Sequence, residues 1–120
     1  GLIITSAVFH LRAEKPEAIN EIVQSIVWKR RQSQPMGVGT AGSVFKNPPG
    51  RFAGQMLDEA GAKGMQIGGA RVTGKHANFI ENTGNAAAED VRQLMVSLQE
   101  LVKGKFGVTL EPEIEMVGEW

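Results

Sequence analysis

The sequence predicts an α+β domain in which a mixed sheet packs with about three helices. Three segments place apolar residues at the spacing of one helical face, and the stretches between them hold short, glycine-punctuated runs typical of strands. A chain of 120 residues can bury one sizeable core and is too short for two ordinary domains. We therefore expect a single compact domain.

The first predicted element is a strand near the start of the chain. Ala7, Phe9 and Leu11 alternate with polar residues in a run rich in β-branched side chains, which is typical of a half-buried strand. The chain lacks an initiator Met and opens directly into this run. We therefore expect Gly1 to be a cut end rather than a natural start.

The first helix is predicted over about residues 16–31. Pro16 suits the first turn of a helix, and Pro35 follows its end. Its predicted buried face consists of Ile19, Ile22, Val23, Ile26 and Val27. Residues 35–51 then hold four glycines and three prolines, which indicates a loop.

A shorter helix and a group of short strands are predicted next. Apolar residues at helical spacing predict a helix over residues 53–60, and Gly61 suits the left-handed position that follows a helix. Short strands are expected around residues 65–72 and 79–81, because glycines separate these runs.

The last helix has the clearest pattern. Its apolar stripe consists of Val91, Leu94, Met95, Leu98, Leu101 and Val102. Acidic Glu89 and Asp90 lie in its first turn and Lys103 and Lys105 near its end, as the helix dipole favours. Residues 108–117 then alternate between apolar and acidic side chains, which predicts a final strand.

Composition excludes several classes of function. Thirteen basic residues balance thirteen acidic ones, so no overall field attracts nucleic acid or an anionic membrane. There is no cysteine for a disulfide or a thiolate, and no apolar run approaches the roughly 20 residues of a membrane span. Neither histidine has another metal-binding side chain at the sequence spacing typical of a metal site, so no metal site is predicted. Any anion site must therefore be local.

One glycine-rich run matches the pattern of dinucleotide-binding turns. Residues 37–42 satisfy G-x-G-x-x-G, but they follow a helix rather than a strand and lead into a proline-containing loop rather than a helix. We therefore reject a Rossmann turn here. Taken alone, Ser43 and His76 also fit bland roles, as a turn hydroxyl and a surface histidine.

A series of motifs carries a stronger signal than any one residue. They are GSVFKNP at 42–48, AGAKG at 60–64, IGGA at 67–70, KHANFI at 75–80 and LEPEI at 110–114. In order and spacing they resemble the C-terminal domain of UDP-N-acetylenolpyruvoylglucosamine reductase, the MurB family. Several segments that match together are more specific than one motif. The resemblance covers roughly residues 30 to 118.

This resemblance implies a reaction. The family uses NADPH and a bound FAD to reduce the enolpyruvyl ether of a UDP-sugar to UDP-N-acetylmuramate, a cytoplasmic step of peptidoglycan synthesis. The family's proton-donating serine falls on Ser43, and the glutamate that assists at the same centre falls on Glu113. Positions that serve the substrate fall on Arg31, Asn47, Lys63 and His76.

The resemblance also implies what lies outside this chain. The family's flavin-binding part precedes the matching segment, so residues 1–120 are expected to be the substrate-binding domain, with residues 1–14 a strand leading in from the flavin domain. The expected partners are the UDP-sugar and that flavin domain of the same polypeptide. FAD and NADPH would belong to the intact enzyme, and this fragment alone is expected to hold neither and to be inactive.

Two other classes of function stay open at this point. A stand-alone nucleotide- or RNA-binding module would need a contiguous basic or aromatic surface. A non-catalytic interaction domain would have no ligand cleft near Ser43.

Overall fold

The computed structural model describes residues 3–118 and contains three helices and a four-stranded antiparallel sheet. The chain divides into two compact units, one up to Gln32 and one from Ser33 onward. The predicted α+β class is confirmed. The sheet differs in one respect from the expectation, because every described strand pair is antiparallel rather than mixed.

Helix α1, Pro16–Ser33, belongs to the first unit except for its last residue, and it confirms the first predicted helix. The strand predicted around Phe9 is not formed, because residues 3–15 belong to no helix or strand. The side chains of Val8, Phe9 and Leu11 are exposed. A strand needs a neighbour for its backbone hydrogen bonds, and the described part of the chain supplies none to this segment.

The apolar stripe of α1 is not buried, contrary to the prediction. Ile19, Ile22, Val23 and Ile26 are all exposed, and no residue of α1 is buried. The amphipathic spacing therefore predicts the helix correctly. It does not predict burial correctly, because no described residue covers the apolar face of α1.

The sheet lies in the second unit and has the order β1-β4-β3-β2. Its strands are β1 (Gly39–Ser43), β2 (Gln66–Ile67), β3 (Ala70–Val72) and β4 (Phe79–Asn82). The last three confirm the short strands predicted from glycine-separated runs. Strand β1 lies inside the predicted loop 35–51, so the loop prediction is wrong for these residues.

Two helices complete the second unit. Helix α2 is Ala53–Glu59, and Gly61 behind it has φ +83°, the left-handed conformation predicted for it. Helix α3 is Ala88–Phe106, as predicted from its stripe. The Asp90 carboxylate accepts hydrogen bonds from the Ala87 and Gly69 backbone N–H groups, at 3.0 and 3.1 Å, so it caps α3 and fixes it to the β2–β3 turn.

The core lies where α2 and α3 pack together and α3 contacts β2 and β3. Its largest fully buried side chains are Phe45, Leu57, Leu94, Leu98, Leu110, Val44, Val72 and Val102. All of them belong to the second unit. This unit therefore carries a hydrophobic core of its own, as an independently folding domain requires.

The strand predicted over residues 108–117 is reduced to one bridge, in which Pro112 pairs with Phe45. Proline has no backbone N–H to donate to a ladder, which limits regular pairing on this segment. Among the described helices, none combines the length and apolar character needed to cross a membrane.

Candidate active site

Ser43 ends β1 directly after an irregularity in the strand. The pairing of β1 with β4 shifts register between Thr40 and Ser43, which lies opposite Phe79. Gly42 has φ +85°, a conformation that side chains with a Cβ rarely adopt, and its N–H donates to the Thr40 hydroxyl at 3.2 Å. This bulge sets the direction in which the half-buried Ser43 leaves the sheet.

The residues after Ser43 are fixed in the core. Val44 and Phe45 are each only 1% exposed. The Val44 N–H donates to the Asn78 backbone carbonyl at 2.9 Å, and the Asn78 side-chain amide bonds both the N–H and the carbonyl of Phe45, at 3.0 and 2.8 Å. The serine loop, residues 42–48, is thus held by one buried asparagine.

The bridge at Pro112 brings Glu113 beside the serine loop. The Glu113 N–H donates to the Val44 carbonyl at 2.8 Å, and the Lys46 N–H donates to the Glu111 carbonyl at 2.9 Å. Because Val44 follows Ser43 directly, the two residues matched to catalytic positions lie on adjoining backbone segments. The Glu113 side chain is exposed, so it is accessible to a ligand.

Lys46 adds a cation at this bridge. Its ammonium group forms a salt bridge with the Glu111 carboxylate. The hydrogen bond to Glu111 and the attraction of that charge raise the pKa of Lys46, and Glu113 contributes in the same direction. Lys46 therefore stays protonated and partly offsets the negative charge of both glutamates.

One cavity lies at the start of β1, and a second borders the serine loop. One of about 310 Å³ is lined by the first three residues of β1 and by Ile114, among others. Another of about 230 Å³ is lined by Lys46, Asn47 and Glu111, with Pro48, Pro49, Val108 and Thr109. Neither of these two cavities is lined by Ser43 or Glu113 themselves.

Asn47 has a structural contact in addition to its expected substrate role. Its side-chain carbonyl accepts a hydrogen bond from the Ala53 N–H at 2.9 Å, at the start of α2. The side chain therefore satisfies one of the unpaired donors of that helix end. This contact fixes the serine loop to α2.

Lys63 and His76, both predicted to bind substrate, line one cavity of about 250 Å³ together with Asp58 and Lys75. We call it the Lys63–His76 cavity. Lys63 forms a salt bridge with Asp58 at 2.6 Å. Two lysines, a histidine and one carboxylate give the cavity a cationic balance that suits an anionic group.

His76 is held in one orientation. Its Nδ1 accepts a hydrogen bond from the Asn78 N–H at 3.2 Å, and its ring stands edge-on to Phe79 with 4.9 Å between centroids. A Cβ at Gly54 would lie 2.7 Å from the His76 Cε1, so only glycine leaves room for this ring. Burial, and secondly the nearby Lys63 charge, lower the pKa of His76 below its ordinary 6.5.

This shift gives a testable pH dependence. The unfolded chain binds a proton at His76 more readily than the folded chain, so the free energy of unfolding should fall as pH drops through the ordinary histidine range. Urea unfolding between about pH 7.5 and about pH 5.5 measures the slope. His76→Gln should flatten this slope, because it removes the group whose pKa is lowered on folding. An unchanged slope in His76→Gln would contradict the assignment.

Arg31 lies exposed on α1 in the first unit, and its substrate role stays a prediction. The glycine-rich run 37–42 lies largely in β1, paired to β4, and not at a strand-to-helix turn, so it does not fit a dinucleotide cradle. Over residues 3–118, no cluster of three or more potential metal ligands occurs. Sequence reasoning missed Asn78, although that residue stands within the KHANFI motif.

Comparison with known families gives one match over most of the chain. The family described as "UDP-N-acetylenolpyruvoylglucosamine reductase, C-terminal domain" matches residues 34–117. This segment begins at the second unit and contains Ser43, Asn47, Lys63, His76 and Glu113.

Individual relatives agree with that match. A UDP-N-acetylenolpyruvoylglucosamine reductase of Caldicellulosiruptor saccharolyticus is 47% identical over 99% of this chain and 39% of its own length. One from Syntrophotalea carbinolica is 44% identical over 99% of this chain and 40% of its own length. The crystal structure of the reductase from Thermus caldophilus superposes with a TM-score of 0.71 at 39% identity, over 86% of this chain and 36% of that one. The chain thus spans about two fifths of these relatives.

Proposed function

We propose a function that proceeds from one premise: the chain belongs to the family of UDP-N-acetylenolpyruvoylglucosamine reductase C-terminal domains. Within a longer reductase, it binds the UDP-sugar substrate and donates the proton that completes reduction. The product is UDP-N-acetylmuramate, used in cytoplasmic peptidoglycan synthesis. NADPH and FAD are held by another part of the parent polypeptide, since this chain spans only about two fifths of the length of its relatives.

The proposed chemistry of this chain is proton donation. Reducing the enolpyruvyl double bond requires a hydride on one carbon and a proton on its neighbour. The Ser43 hydroxyl supplies that proton, and Glu113 assists at the same centre. A serine hydroxyl is weakly acidic, but the carbon it protonates is strongly basic, so correct placement suffices.

The observation that carries this proposal is the hydrogen bond from the Glu113 N–H to the Val44 carbonyl at 2.8 Å. It holds two distant segments of sequence beside each other, with Ser43 on one and Glu113 on the other. Residues that act on one carbon need this proximity. One cavity, lined by Lys46 and Asn47 among others, borders the serine loop and leaves room for a ligand there.

Binding of the substrate is assigned to the cationic side chains. The Lys63–His76 cavity receives the diphosphate, for which an ammonium group is a suitable partner. Asn47 and Arg31 contribute further polar contacts. Residues 1–14 lead in from the flavin domain, and the exposed apolar stripe of α1 fits such a position in a longer polypeptide.

Purified proteins test this proposal. The intact parent should be yellow with flavin, and it should oxidise NADPH over many turnovers only when the enolpyruvyl UDP-sugar is added. The 120-residue chain alone should be colourless and inactive. Stoichiometric FAD on this chain, or a parent that ignores the enolpyruvyl substrate, would contradict the proposal.

A further inference from the structure

Asn78 forms hydrogen bonds both with the serine loop and with His76 in the Lys63–His76 cavity. Its side chain bonds the backbone of Phe45 in the serine loop, and its own N–H donates to His76 Nδ1 in the Lys63–His76 cavity. We propose that Asn78 is a positioning residue that couples the state of His76 to the placement of Ser43. This inference rests on the proposed function for the roles of those two residues.

The link to the serine loop is rigid. Asn78 is only 4% exposed, and its side-chain carbonyl and amide are both used by Phe45. The Val44 N–H bonds the Asn78 backbone carbonyl at 2.9 Å. Three hydrogen bonds from one residue therefore hold the two positions that follow Ser43. Buried bonds of this kind are costly to break, so a shift of Asn78 moves the loop with it.

The link to His76 depends on the protonation and position of its ring. Only an unprotonated Nδ1 can accept the Asn78 N–H, because an imidazolium has donors alone. The backbone around His76 is fixed by Thr73, whose hydroxyl donates to the His76 carbonyl at 3.0 Å and accepts from its N–H at 3.0 Å. The ring can therefore respond to a ligand or a proton while its backbone stays in place.

Several charged groups act on the ring from the elements around it. Lys63 follows α2, Asp58 lies on it, and Lys75 precedes His76 in its own segment; all three line the same cavity. An anion bound there changes the field at the ring and its contacts. Asn78 then transmits the change to the backbone beside Ser43, so that the proton donor is placed correctly when the cavity is occupied.

Nuclear magnetic resonance of the 15N-labelled chain tests the coupling directly. In an acid titration, the amide signals of Asn78, Val44 and Phe45 should move with the same midpoint as the His76 ring signals. In Asn78→Ser the ring should still titrate, but the shift at Phe45 should be lost, because both side-chain bonds of Asn78 go to the Phe45 backbone. The shift at Val44, which bonds the Asn78 backbone carbonyl, should persist. Thr83→Val is the control, since the Thr83 hydroxyl donates to the Gly69 carbonyl and bonds neither His76 nor the serine loop; in this variant the shifts at Val44 and Phe45 should persist.

A ligand titration separates this inference from the proposed function. UDP-N-acetylglucosamine should shift signals of Lys63 and His76 and, through Asn78, those of Val44 and Phe45. Failure of this probe to bind would count against the proposed substrate role, while the acid titration would still decide the coupling. Serine-loop amides that stay fixed while His76 titrates in the unsubstituted chain would overturn the inference, even if Asn78→Ser fails to fold.

In the intact parent, the coupling predicts a particular kinetic split. Asn78→Ser removes both side-chain bonds to Phe45 and adds no titratable carboxyl or amine to the site. It should lower kcat with little change in KM and should alter the pH profile of kcat. A purely structural role would instead lower the amount of folded enzyme and leave that profile unchanged.

Discussion

Replacing Ser43 with alanine in the intact parent is expected to slow reduction of the enolpyruvyl substrate by roughly 10²-fold to 10⁴-fold, the usual loss on removing a positioned proton donor. Reduction of the bound flavin by NADPH should be nearly unchanged, because it needs no proton at the substrate carbon. Substrate affinity should change little, since the interaction matters mainly in the transition state. Stopped-flow traces of the two half-reactions measure this.

Two further variants sharpen that result. Ser43→Cys should recover part of the rate, because a thiol is a stronger acid than a hydroxyl. Ser97→Ala removes another half-buried hydroxyl, one that donates to the Gln93 carbonyl on α3, and should leave both half-reactions intact. Equal slowing of both half-reactions in Ser43→Ala would return Ser43 to the role of a turn residue.

Truncating Phe45 to alanine should have the largest effect on stability. The ring is 1% exposed and belongs to the core cluster, so its loss leaves a cavity and should cost about 3–5 kcal/mol of the free energy of unfolding. Urea unfolding of the 120-residue chain measures the change.

Phe52→Ala is the matched control for this prediction. Phe52 precedes α2 and is 66% exposed, so its removal takes little apolar area out of the core. The free energy of unfolding of Phe52→Ala should stay within about 0.5 kcal/mol of that of the unsubstituted 120-residue chain, as for most surface substitutions. Equal losses in the two variants would contradict the placement of the core.

The helices were predictable because their apolar residues recur with the helical period over many turns. The apolar stripe of α3 from Val91 to Val102 can be recognised from the local sequence alone, without knowledge of what the helix packs against. Burial was less predictable. The stripe of α1 has the same periodicity, yet Ile22 is exposed, since periodicity shows which face is apolar and not what covers it.

Strands were harder to predict because their pairing depends on distant residues. Strand β1 lies in a run whose glycines indicate a loop, but it is held by pairing to β4. Conversely, residues 108–117 alternate like a strand but meet the serine loop only around Pro112. Local patterns do not show which backbone groups find partners, and strand formation depends on those partners.

In the candidate site too, local sequence identified the residues but not their contacts. Motif resemblance identified Ser43 and Glu113 as residues of interest, but their proximity follows from a bridge between the serine loop and residues 111–113. Asn78 was missed because a buried asparagine has no local signature; its importance lies in bonds to Phe45, far away in sequence. Gly54 likewise shows its role only through its contact with His76.

A double-mutant cycle on Ser43 and Glu113 tests the central claim most directly, namely that both residues act at one substrate carbon. Ser43→Ala, Glu113→Gln and the double variant of the intact parent are compared by the rate at which the enolpyruvyl substrate is reduced. Residues that act as a unit are strongly non-additive, so the double variant should be about as slow as the slower single variant. A double variant slowed by the product of the two single effects would show independent sites and contradict the shared centre.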